Sequence, residues 1–519
     1  MTRALLVYPE FRSASFWNYR ETCELVDARY PAAPLGLCTV AALLPADWEV
    51  SLVDRNIEAW DDAMLDRADI VLTGGMMAQQ LDCVDLIRKA RQRGKRVVVG
   101  GPDATSSPHL YADADHLVLG EGEITIPQFL ADLAAGSPKK TYQDAGRKAD
   151  VQSSPTPRFD LLKFDRYNHI GIQWCRGCPF SCEFCDIIEL FGKVPRAKSA
   201  PQIFAELQKL YDLGYRGHVD LVDDNFIGNK KEAKEVLHAL AAWQEANDYP
   251  VEMMTETTLN LAQDDELLRL MHRANFTTIF IGIESPRAAS LQETHKTQNL
   301  RESILDSVHR IQRAGIEVMA GMIVGFDNDD PSIFEEQFRF IQEARIPISM
   351  TGMLNALPKT PLYDRLRNAG RLLAESVGDQ FVFTNIIPQG MSTAELYEGY
   401  QTLLRKLYGY ANYRRRTMQL ILAKGTAIRS RLSTGGQDLR IFGRVLWSCV
   451  LKASPKRAWM TLSLVLETAL RRPRAIRQAV TLALMHKHLY EYMRDTCARL
   501  EEFTSQMPAP SQSLEAHTA

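Results

Sequence analysis

The first 136 residues alternate between short apolar runs and longer stretches with helical spacing. The runs ALLVY, WEVSLVD, DIVLTGG, KRVVVGG and HLVLGEG have the length and composition of strands, and PLGLCTVAALL and QLDCVDLIRKARQRG between them repeat apolar residues every three to four positions. Alternating strands and helices predict a doubly wound, Rossmann-like parallel sheet. We assign this α/β domain to residues 1–140.

Three of these predicted strands end in closely spaced glycines. Ligands of doubly wound sheets bind beyond the carboxyl ends of the strands, where glycine lets a ligand approach the backbone. Tight turns alone would explain any one pair, but three successive strand ends favour a ligand. The glycines are Gly74 with Gly75, Gly100 with Gly101, and Gly120 with Gly122.

The same alternation resumes after a stretch rich in Pro, Ser and charged residues, which we assign to a linker over 141–168. Six apolar runs follow: HIGIQW, HVDLVDD, PVEMMTET, TTIFIGIE, IEVMAGMIVG and IPISMTGML. With helical segments between them, they predict a partial TIM-like (β/α)6 barrel over 169–366. Its active site is expected at the C-terminal ends of the strands.

The remaining chain has helical patterns only, which we assign to a basic helical domain over 367–502 and a disordered tail over 503–519. Between Gln401 and Tyr490 the chain carries 18 Lys and Arg against two acids, a net charge of +16, so the other residues sum to −19. A helical bundle docked on the acidic body and a peripheral contact with an anionic membrane both fit this charge. RNA binding is a third, less favoured interpretation that stays open, because charge alone cannot separate phosphodiesters from lipid head groups.

The overall composition is that of a globular protein of several domains, with 519 residues, 45% hydrophobic and 24% charged. The N-terminal apolar run is too short for a signal peptide, and no run approaches a membrane span. We therefore expect a cytoplasmic protein, with contact at the inner face of the membrane left open by the basic helices.

Four of the nine cysteines lie between Cys175 and Cys185. Cys178, Cys182 and Cys185 have the spacing C-x3-C-x2-C directly after the first predicted barrel strand. Three thiolates on one tight loop favour a 4Fe-4S cluster over structural zinc, which needs four ligands, usually in two separated pairs. We interpret Cys175 as a bystander, although its spacing would also permit a fourth ligand. One iron would then remain open.

The motif CPFSCEFC after a barrel's first strand resembles the cluster loop of the radical S-adenosylmethionine (SAM) superfamily. The resemblance continues in VDDNF, GIES and GMIVG, which stand where that family contacts the SAM amino group, its ribose or methionine part, and its adenine. It implies that Cys178, Cys182 and Cys185 bind the cluster and that the cluster cleaves SAM to a 5′-deoxyadenosyl radical. The SAM contacts implied are Phe184, Asp223, Asp224, Asn225, Glu256, Glu284, Ser285, Gly321, Ile323 and Gly325. VDDNF departs from the family's glycine-rich motif, so which of its three polar residues meets the amino group stays open.

The N-terminal domain resembles the cobalamin-binding domain that precedes some radical SAM barrels. APLGLCTVAALLP, VVVGGPDAT and VLGEGE match that domain's helix and strand ends. The string DRNIEA stands where base-on cobalamin proteins carry D-x-H-x-x-G, with Asn56 in place of the histidine, so cobalamin is expected to bind without a protein histidine from this loop. The implied cobalamin contacts are Asn56, Thr73, Gly74, Gly75, Gly100, Gly101, Gly120 and Glu121.

The combined pattern is most similar to the branch that contains the hopanoid C-2 methylases. It implies a cobalamin-dependent C-methyltransferase acting on an unactivated carbon of a small molecule or lipid, with a polycyclic lipid as one substrate, and a flavodoxin- or ferredoxin-like electron donor. Radical rearrangement or oxidative cyclisation without methyl transfer is the main alternative. A further one is a methylthiotransferase acting on RNA or protein, with a second cluster on Cys23, Cys38 and Cys83. A membrane-associated sensor with a vestigial barrel is the third.

Overall fold

The computed structural model describes residues 1–12, 16–373, 383–426 and 435–506. Their strands are β1 (Arg3–Tyr8), β2 (Tyr30–Ala32), β3 (Glu49–Asp54), β4 (Ile70–Gly74), β5 (Arg96–Gly100), β6 (His116–Leu119), β7 (Thr141–Gln143), β8 (Tyr167–Ile172), β9 (Cys175–Arg176), β10 (Arg196–Ala197), β11 (His218–Leu221), β12 (Glu252–Thr257), β13 (Phe276–Glu284), β14 (Glu317–Val324) and β15 (Ser349–Met353).

The α-helices include two long ones near the C-terminus. In chain order they are α1 (Arg20–Cys23), α2 (Leu35–Leu43), α3 (Ala63–Asp66), α4 (Gln80–Gln92), α5 (Gly101–Ser106), α6 (Gly122–Ala134), α7 (Ile187–Leu190), α8 (Ala200–Asp212), α9 (Lys230–Ala246), α10 (Asp265–Arg273), α11 (Ala288–Glu293), α12 (Ile304–Arg313), α13 (Ile333–Glu343), α14 (Pro361–Asn368), α15 (Thr393–Tyr408), α16 (Tyr410–Ala423), α17 (Gly435–Leu446), α18 (Pro455–Arg471) and α19 (Ile476–Gln506). A π-helical turn, Trp447–Leu451, follows α17.

The first sheet is parallel with the strand order β3-β1-β4-β5-β6-β7, which confirms the predicted doubly wound fold. Strand side chains alternate between its two faces. Leu5 and Val7 join one core with α4, whereas Leu6 joins another with α2 and α6. The predicted linker was wrong at its start, because residues 141–143 add the edge strand β7 to this sheet.

The second sheet is a parallel half-barrel with the order β15-β14-β13-β12-β11-β8-β2. All six predicted barrel strands are present. The seventh, β2, was not predicted: it comes from the N-terminal region and pairs parallel with β8. Along β13, Ile279, Ile281 and Ile283 are buried under the helices, whereas Phe280 lies inside the curl, where the ring of Trp17 packs against it.

The C-terminal helices close the end of the barrel at which its strands begin. Arg477 pairs with Glu252 at the start of β12, and Gln478 donates to Glu317 at the start of β14. Arg416 is fully buried and donates to the carbonyls of Ile346 and Pro347 ahead of β15. Part of the positive charge counted in the sequence is therefore used inside the fold.

Two predicted boundaries differ from the structure. Helix α14 continues past residue 366, and α19 continues to Gln506, so the first four residues of the predicted tail are helical. Phe503 of that helix packs against Tyr397 and Phe383. The rest of the predicted tail, 507–519, lies outside the described residues. In the described part of the chain, no helix is long and apolar enough to cross a membrane.

Candidate active site at the facing strand ends

The cysteine loop leaves the half-barrel between β9 and α7, at the C-terminal ends of the strands. Cys182 is buried and Cys178 and Cys185 are half-buried. The backbone N–H of Cys178 donates to the carbonyl of Gly192, and that of Cys185 donates to the carbonyl of Cys182. At Gly177, with φ of +92°, a Cβ would lie 2.9 Å from two carbonyl oxygens, so only glycine allows this close crossing of the loop.

Two neutral side chains point N–H groups at the sulfurs of this loop. The amide of Asn225 is 3.9 Å from Cys178 Sγ, and that of Gln298 is 3.6 Å from Cys182 Sγ. Such N–H···S contacts stabilise thiolates that carry a cluster. Burial raises the pKa of the Cys185 thiol, and a backbone N–H and Lys296 partly oppose it.

The donor set fits an iron–sulfur cluster better than a single ion. Among the described residues, no group of three His, Cys, Asp or Glu side chains converges on one ion. A structural zinc would need four such ligands within about 2.3 Å of one point. Thiols that share a loop can each serve a different iron of a cluster, and the assignment of three ligands and one open iron stays a prediction.

Lys296 is a buried cation beside this loop that the sequence reasoning missed. Its Nζ lies 2.8 Å from Glu284 Oε1 and 5.8 Å from the centre of the Phe184 ring. Burial lowers the pKa of Lys296, but Glu284 and the Cys182 thiol raise it by more. A Cβ at Gly282 would lie 2.8 Å from this Nζ, which explains the glycine of GIES. No sequence signal marks a lysine twelve residues beyond Glu284 as its partner.

The three polar residues of VDDNF have different partners. Asp223 follows β11 and is buried, and it accepts the backbone N–H groups of Trp174 and Cys175, just after β8, both at 2.8 Å. Asp224 accepts the N–H of Gly177 at 2.7 Å, inside the cysteine loop. Burial raises the pKa of Asp223 to about 8 and that of Asp224 to about 6. Asp224 and Asn225 therefore face the loop, whereas Asp223 supports the strand behind it.

The other predicted SAM contacts lie on the same rim of the half-barrel. Glu256 is exposed in the barrel mouth, and the hydroxyl of Ser285 accepts the N–H of Arg287. At Gly321 a Cβ would meet the Phe280 ring at 3.0 Å. Ile323 packs near Phe184, and the N–H of Gly325 donates to Asp329. The barrel brings these positions together, and their contacts with SAM stay predictions.

Several predicted cobalamin contacts are already occupied by protein neighbours. Asn56 accepts the N–H of Phe11 and donates to Pro9 and Asp54, and Thr73 donates to the carbonyl of Val7. A Cβ at Gly74 would collide with the carbonyl of Gly100, and one at Gly120 with the carboxylate of Asp144. Close packing against a neighbouring strand thus accounts for Gly74, and the left-handed φ of +83° favours glycine at Gly120. Gly75 and Gly101 lie at the same edge of the sheet.

An ion-pair network joins the strand ends of the two sheets. Glu121, directly after β6, accepts from Arg176 at 2.8 Å and from Arg196 at 3.0 Å, and Arg176 also binds Glu123. Arg176 is two residues before Cys178, so the N-terminal domain is tied to the base of the cysteine loop. Burial raises the pKa of Glu123, but Arg176 lowers it more, to about 2. Sequence reasoning assigned Glu121 to cobalamin and missed both arginines.

A cavity of about 440 Å³ lies at the edge of this interface. Ser106 and His109 of the N-terminal domain line it from one side, and Tyr363 and Arg367 of α14 line it from the other. Lys359 Nζ donates to the carbonyl of Thr105 beside it. The carboxyl ends of both sheets therefore face each other around a cleft.

Three family models match successive parts of the chain: the B12 binding domain over 24–130, the Radical SAM superfamily over 172–341, and a domain of unknown function (DUF4070) over 360–502. An uncharacterized methyltransferase of Synechocystis is 40% identical over 94% of this chain and 92% of that protein. The hopanoid C-2 methylase of Rhodopseudomonas palustris is 39% identical over 72% of this chain and 71% of that enzyme. The chain belongs to the cobalamin-binding radical SAM methylases.

The fold of this radical SAM methylase is also found in a solved structure. TsrM from Kitasatospora setae, a radical SAM methyltransferase solved with cobalamin and a [4Fe-4S] cluster, superposes with a TM-score of 0.58 at 16% identity, over 96% of this chain and 99% of that one. The family models and the two relatives, together with this fold, identify the methylase as a cobalamin-dependent radical SAM methyltransferase. Its cofactors are a 4Fe-4S cluster, SAM and cobalamin, and enzymes of its superfamily typically use a small-molecule substrate and an external reductant.

A second cluster on Cys23, Cys38 and Cys83 does not fit the fold of this methylase. Cys83 lies on α4, whose core includes Leu5 and Val7. Cys38 lies on α2, which packs on the opposite face of the same sheet. Burial raises the pKa of both thiols to about 12. Because a sheet separates them, these cysteines cannot share one cluster, and the alternative that depended on them is wrong on this point.

Proposed function

We propose that this methylase transfers a methyl group to an unactivated carbon of a polycyclic, hopanoid-like lipid. The observation that carries the proposal is the 39% identity to a hopanoid C-2 methylase over 71% of that enzyme. Side chains inside the barrel agree with an apolar substrate. Val222, Phe280 and Met350 are only partly buried there and offer hydrocarbon surface to a ring system.

In the proposed site, Cys178, Cys182 and Cys185 hold the cluster, and Lys296 and Asn225 stabilise the negative charge on its sulfurs. The bound cofactors supply an electron for SAM and a carrier for the methyl group. Asp224, held by the N–H of Gly177, offers a carboxylate to the SAM ammonium. The network of Arg176 and Glu121 keeps the cobalamin-binding domain at a constant distance from the cluster loop.

The proposal includes two partners. A flavodoxin- or ferredoxin-like protein would deliver the electron, and the basic C-terminal helices would contact the inner face of the membrane that holds the lipid. Nucleic acid is not among the proposed partners. Rearrangement or oxidative cyclisation without methyl transfer is the competing outcome.

The test is anaerobic reconstitution with iron, sulfide and cobalamin, followed by turnover with SAM, a reductant and a hopanoid such as diploptene. We expect a methylated lipid together with S-adenosylhomocysteine and 5′-deoxyadenosine, all measured by mass spectrometry. 5′-Deoxyadenosine without S-adenosylhomocysteine would support the competing rearrangement. Methyl transfer to a non-lipid substrate in place of the hopanoid would overturn the substrate class, and a Cys182→Ser variant should give neither SAM product.

A further inference from the structure

Helices α17 and α18 and the π-helical turn between them carry an unusual density of exposed apolar side chains. Eight of the 18 large apolar side chains that are exposed in the described residues fall between residues 442 and 470. They are Phe442, Leu446, Trp447, Leu451, Trp459, Leu462, Leu466 and Leu470, between 38 and 86% exposed. We call these eight side chains the apolar face.

This face is presented by a well-anchored element. Met460, Leu464 and Thr468 of α18 are buried, and the Thr468 hydroxyl contacts Met418 of α16. Trp459, Leu466 and Leu470 lie on the other side of the same helix, 60 to 86% exposed. Helix α18 is therefore apolar on two sides, and among the described residues only one of them is covered, which is the pattern of a helix with a second apolar environment.

The surroundings of the apolar face are strongly basic. Residues 435–475 contain eight Lys and Arg and two acids. Asp27 pairs with Arg444, and Glu467 pairs with Arg471 and Arg414. Lys452 and Lys456 are exposed, and the ammonium of Lys452 lies 5.0 Å from the centre of the Trp447 ring. A cation thus stands directly beside the exposed Trp447.

We propose that the apolar face, with Lys452 and Lys456, binds the surface of a bilayer containing anionic lipid. Tryptophan and leucine enter the boundary between head groups and acyl chains, while lysines at the rim meet the phosphates. A second copy of this chain fits less well, because its own lysines would face these lysines. This proposal rests on the proposed lipid methylation and extends it, because it assigns the membrane contact to named residues.

The test is flotation of the full-length, cofactor-loaded protein with vesicles of phosphatidylcholine, with and without phosphatidylglycerol. We expect binding only when phosphatidylglycerol is present and weaker binding as salt rises. The double variant Trp459→Ser/Leu466→Ser should lower the partition coefficient by about tenfold or more. Lys452→Glu/Lys456→Glu should lower it by at least about tenfold at low salt.

Leu81→Ser is the matched control, because Leu81 is 71% exposed on α4, in the N-terminal domain. It should bind vesicles like the wild type, and circular dichroism should confirm that all variants are folded. Equal binding to neutral vesicles, no binding at all, or an equal loss in the control would overturn the proposal. The proposal would also be overturned if substitutions in the apolar face abolished a dimer in analytical ultracentrifugation and left vesicle binding unchanged.

The test separates this proposal from the proposed function because flotation involves no substrate. With a detergent-dispersed hopanoid, Lys452→Glu/Lys456→Glu should methylate at the wild-type rate. If vesicle binding fails and methylation persists, only the docking surface is wrong. If vesicles bind and no lipid is methylated, only the substrate class is wrong.

Discussion

At the scale of single residues, two of the four neighbouring cysteines, Cys182 and Cys175, have different environments. Cys182 receives an N–H from Gln298 and lies near Lys296, whereas Cys175 is buried in the barrel core with its thiol donating to the carbonyl of Arg176. Position in the fold therefore separates the two, although both are cysteines of one short segment.

The first prediction compares these two cysteines. Cys182→Ser should lose most of its iron and sulfide after anaerobic reconstitution, because one thiolate of the set is gone. Cys175→Ser should keep the wild-type content, since its sulfur binds no iron in our interpretation. Iron and sulfide analysis with electron paramagnetic resonance of the reduced protein measures both. Loss of the cluster in Cys175→Ser would mean that four thiolates bind it.

The second prediction concerns the buried pair Lys296 and Glu284. Lys296→Met leaves the Glu284 carboxylate without its cation, 6% exposed, and should lower the free energy of unfolding by about 3 kcal/mol or more. Lys296→Met/Glu284→Gln removes both charges and should recover much of that loss. Urea denaturation followed by circular dichroism gives the comparison. Additive losses in the double variant would show that the pair does not interact.

The third prediction is a pH dependence that comes from Asp223. Its pKa is raised from 3.8 to about 8 by burial, so the folded state holds a proton that the unfolded state releases. The stability it contributes is complete below about pH 4 and is lost as the pH rises through about 8. The Asp223→Asn side chain keeps an oxygen that can accept both N–H groups. Because it cannot titrate, the variant does not show this loss of stability.

As the pH rises from 5.5 to 8, the free energy of unfolding of Asp223→Asn should therefore increase relative to that of the wild type by roughly 2–4 kcal/mol. Denaturation of both proteins at the two pH values measures the difference, and titrations common to both cancel. Parallel stability curves for the variant and the wild type would contradict a raised pKa at Asp223.

At the scale of elements, the loop after β6 and the loop after β8 are held together by charge. Glu121 is 3% exposed and has two arginine partners, of which Arg176 also holds Glu123. A buried pair contributes little net stability compared with an apolar contact, but the removal of one partner is strongly destabilising. Its direct effect here is to fix how the first sheet meets the cysteine loop.

The fourth prediction follows from this network. Arg176→Met should speed amide hydrogen exchange around Ala149, whose N–H donates to Glu121, and in the cysteine loop. The reason is that Glu123 loses its cation and Glu121 loses one of its two. Arg158→Met is the control: Arg158 binds only the exposed Asp160 through its side chain among the described contacts. Hydrogen exchange with mass spectrometry measures both variants. Unchanged exchange at these loops in Arg176→Met would mean that other contacts hold the domains.

At the scale of the whole molecule, the ends of the chain complete the barrel. Phe16 packs against Tyr492 with ring centres 5.7 Å apart, and β2 pairs with β8. The Tyr400 hydroxyl donates to the carbonyl of Thr351 on the edge strand β15. The barrel is therefore covered by residues from three assigned domains.

The fifth prediction is that the barrel does not remain soluble without its helical cover. A chain that ends at residue 392 removes α15 to α19 and uncovers buried side chains such as Ile348 and Met353, 5 and 3% exposed in the intact fold. We expect it in the insoluble fraction. A chain that ends at residue 506 should stay soluble, since every contact described above lies before that point. A soluble, cluster-binding 1–392 chain would show that the cover is dispensable.

The sequence alone determined the order of the strands along the chain, the fold class and the cysteine loop. These features are local: apolar runs alternate with amphipathic helices, and three thiols lie within eight residues. The tertiary structure decided which residues meet across the chain. Lys296 reaches Glu284 and Arg176 reaches Glu121 because strands distant in sequence end at one edge. The N-terminal strand β2 joins the barrel, and Arg416 is buried where the C-terminal helices cover the other end of it. A sequence pattern records which residues a chain carries, whereas such pairings depend on how its elements pack in space.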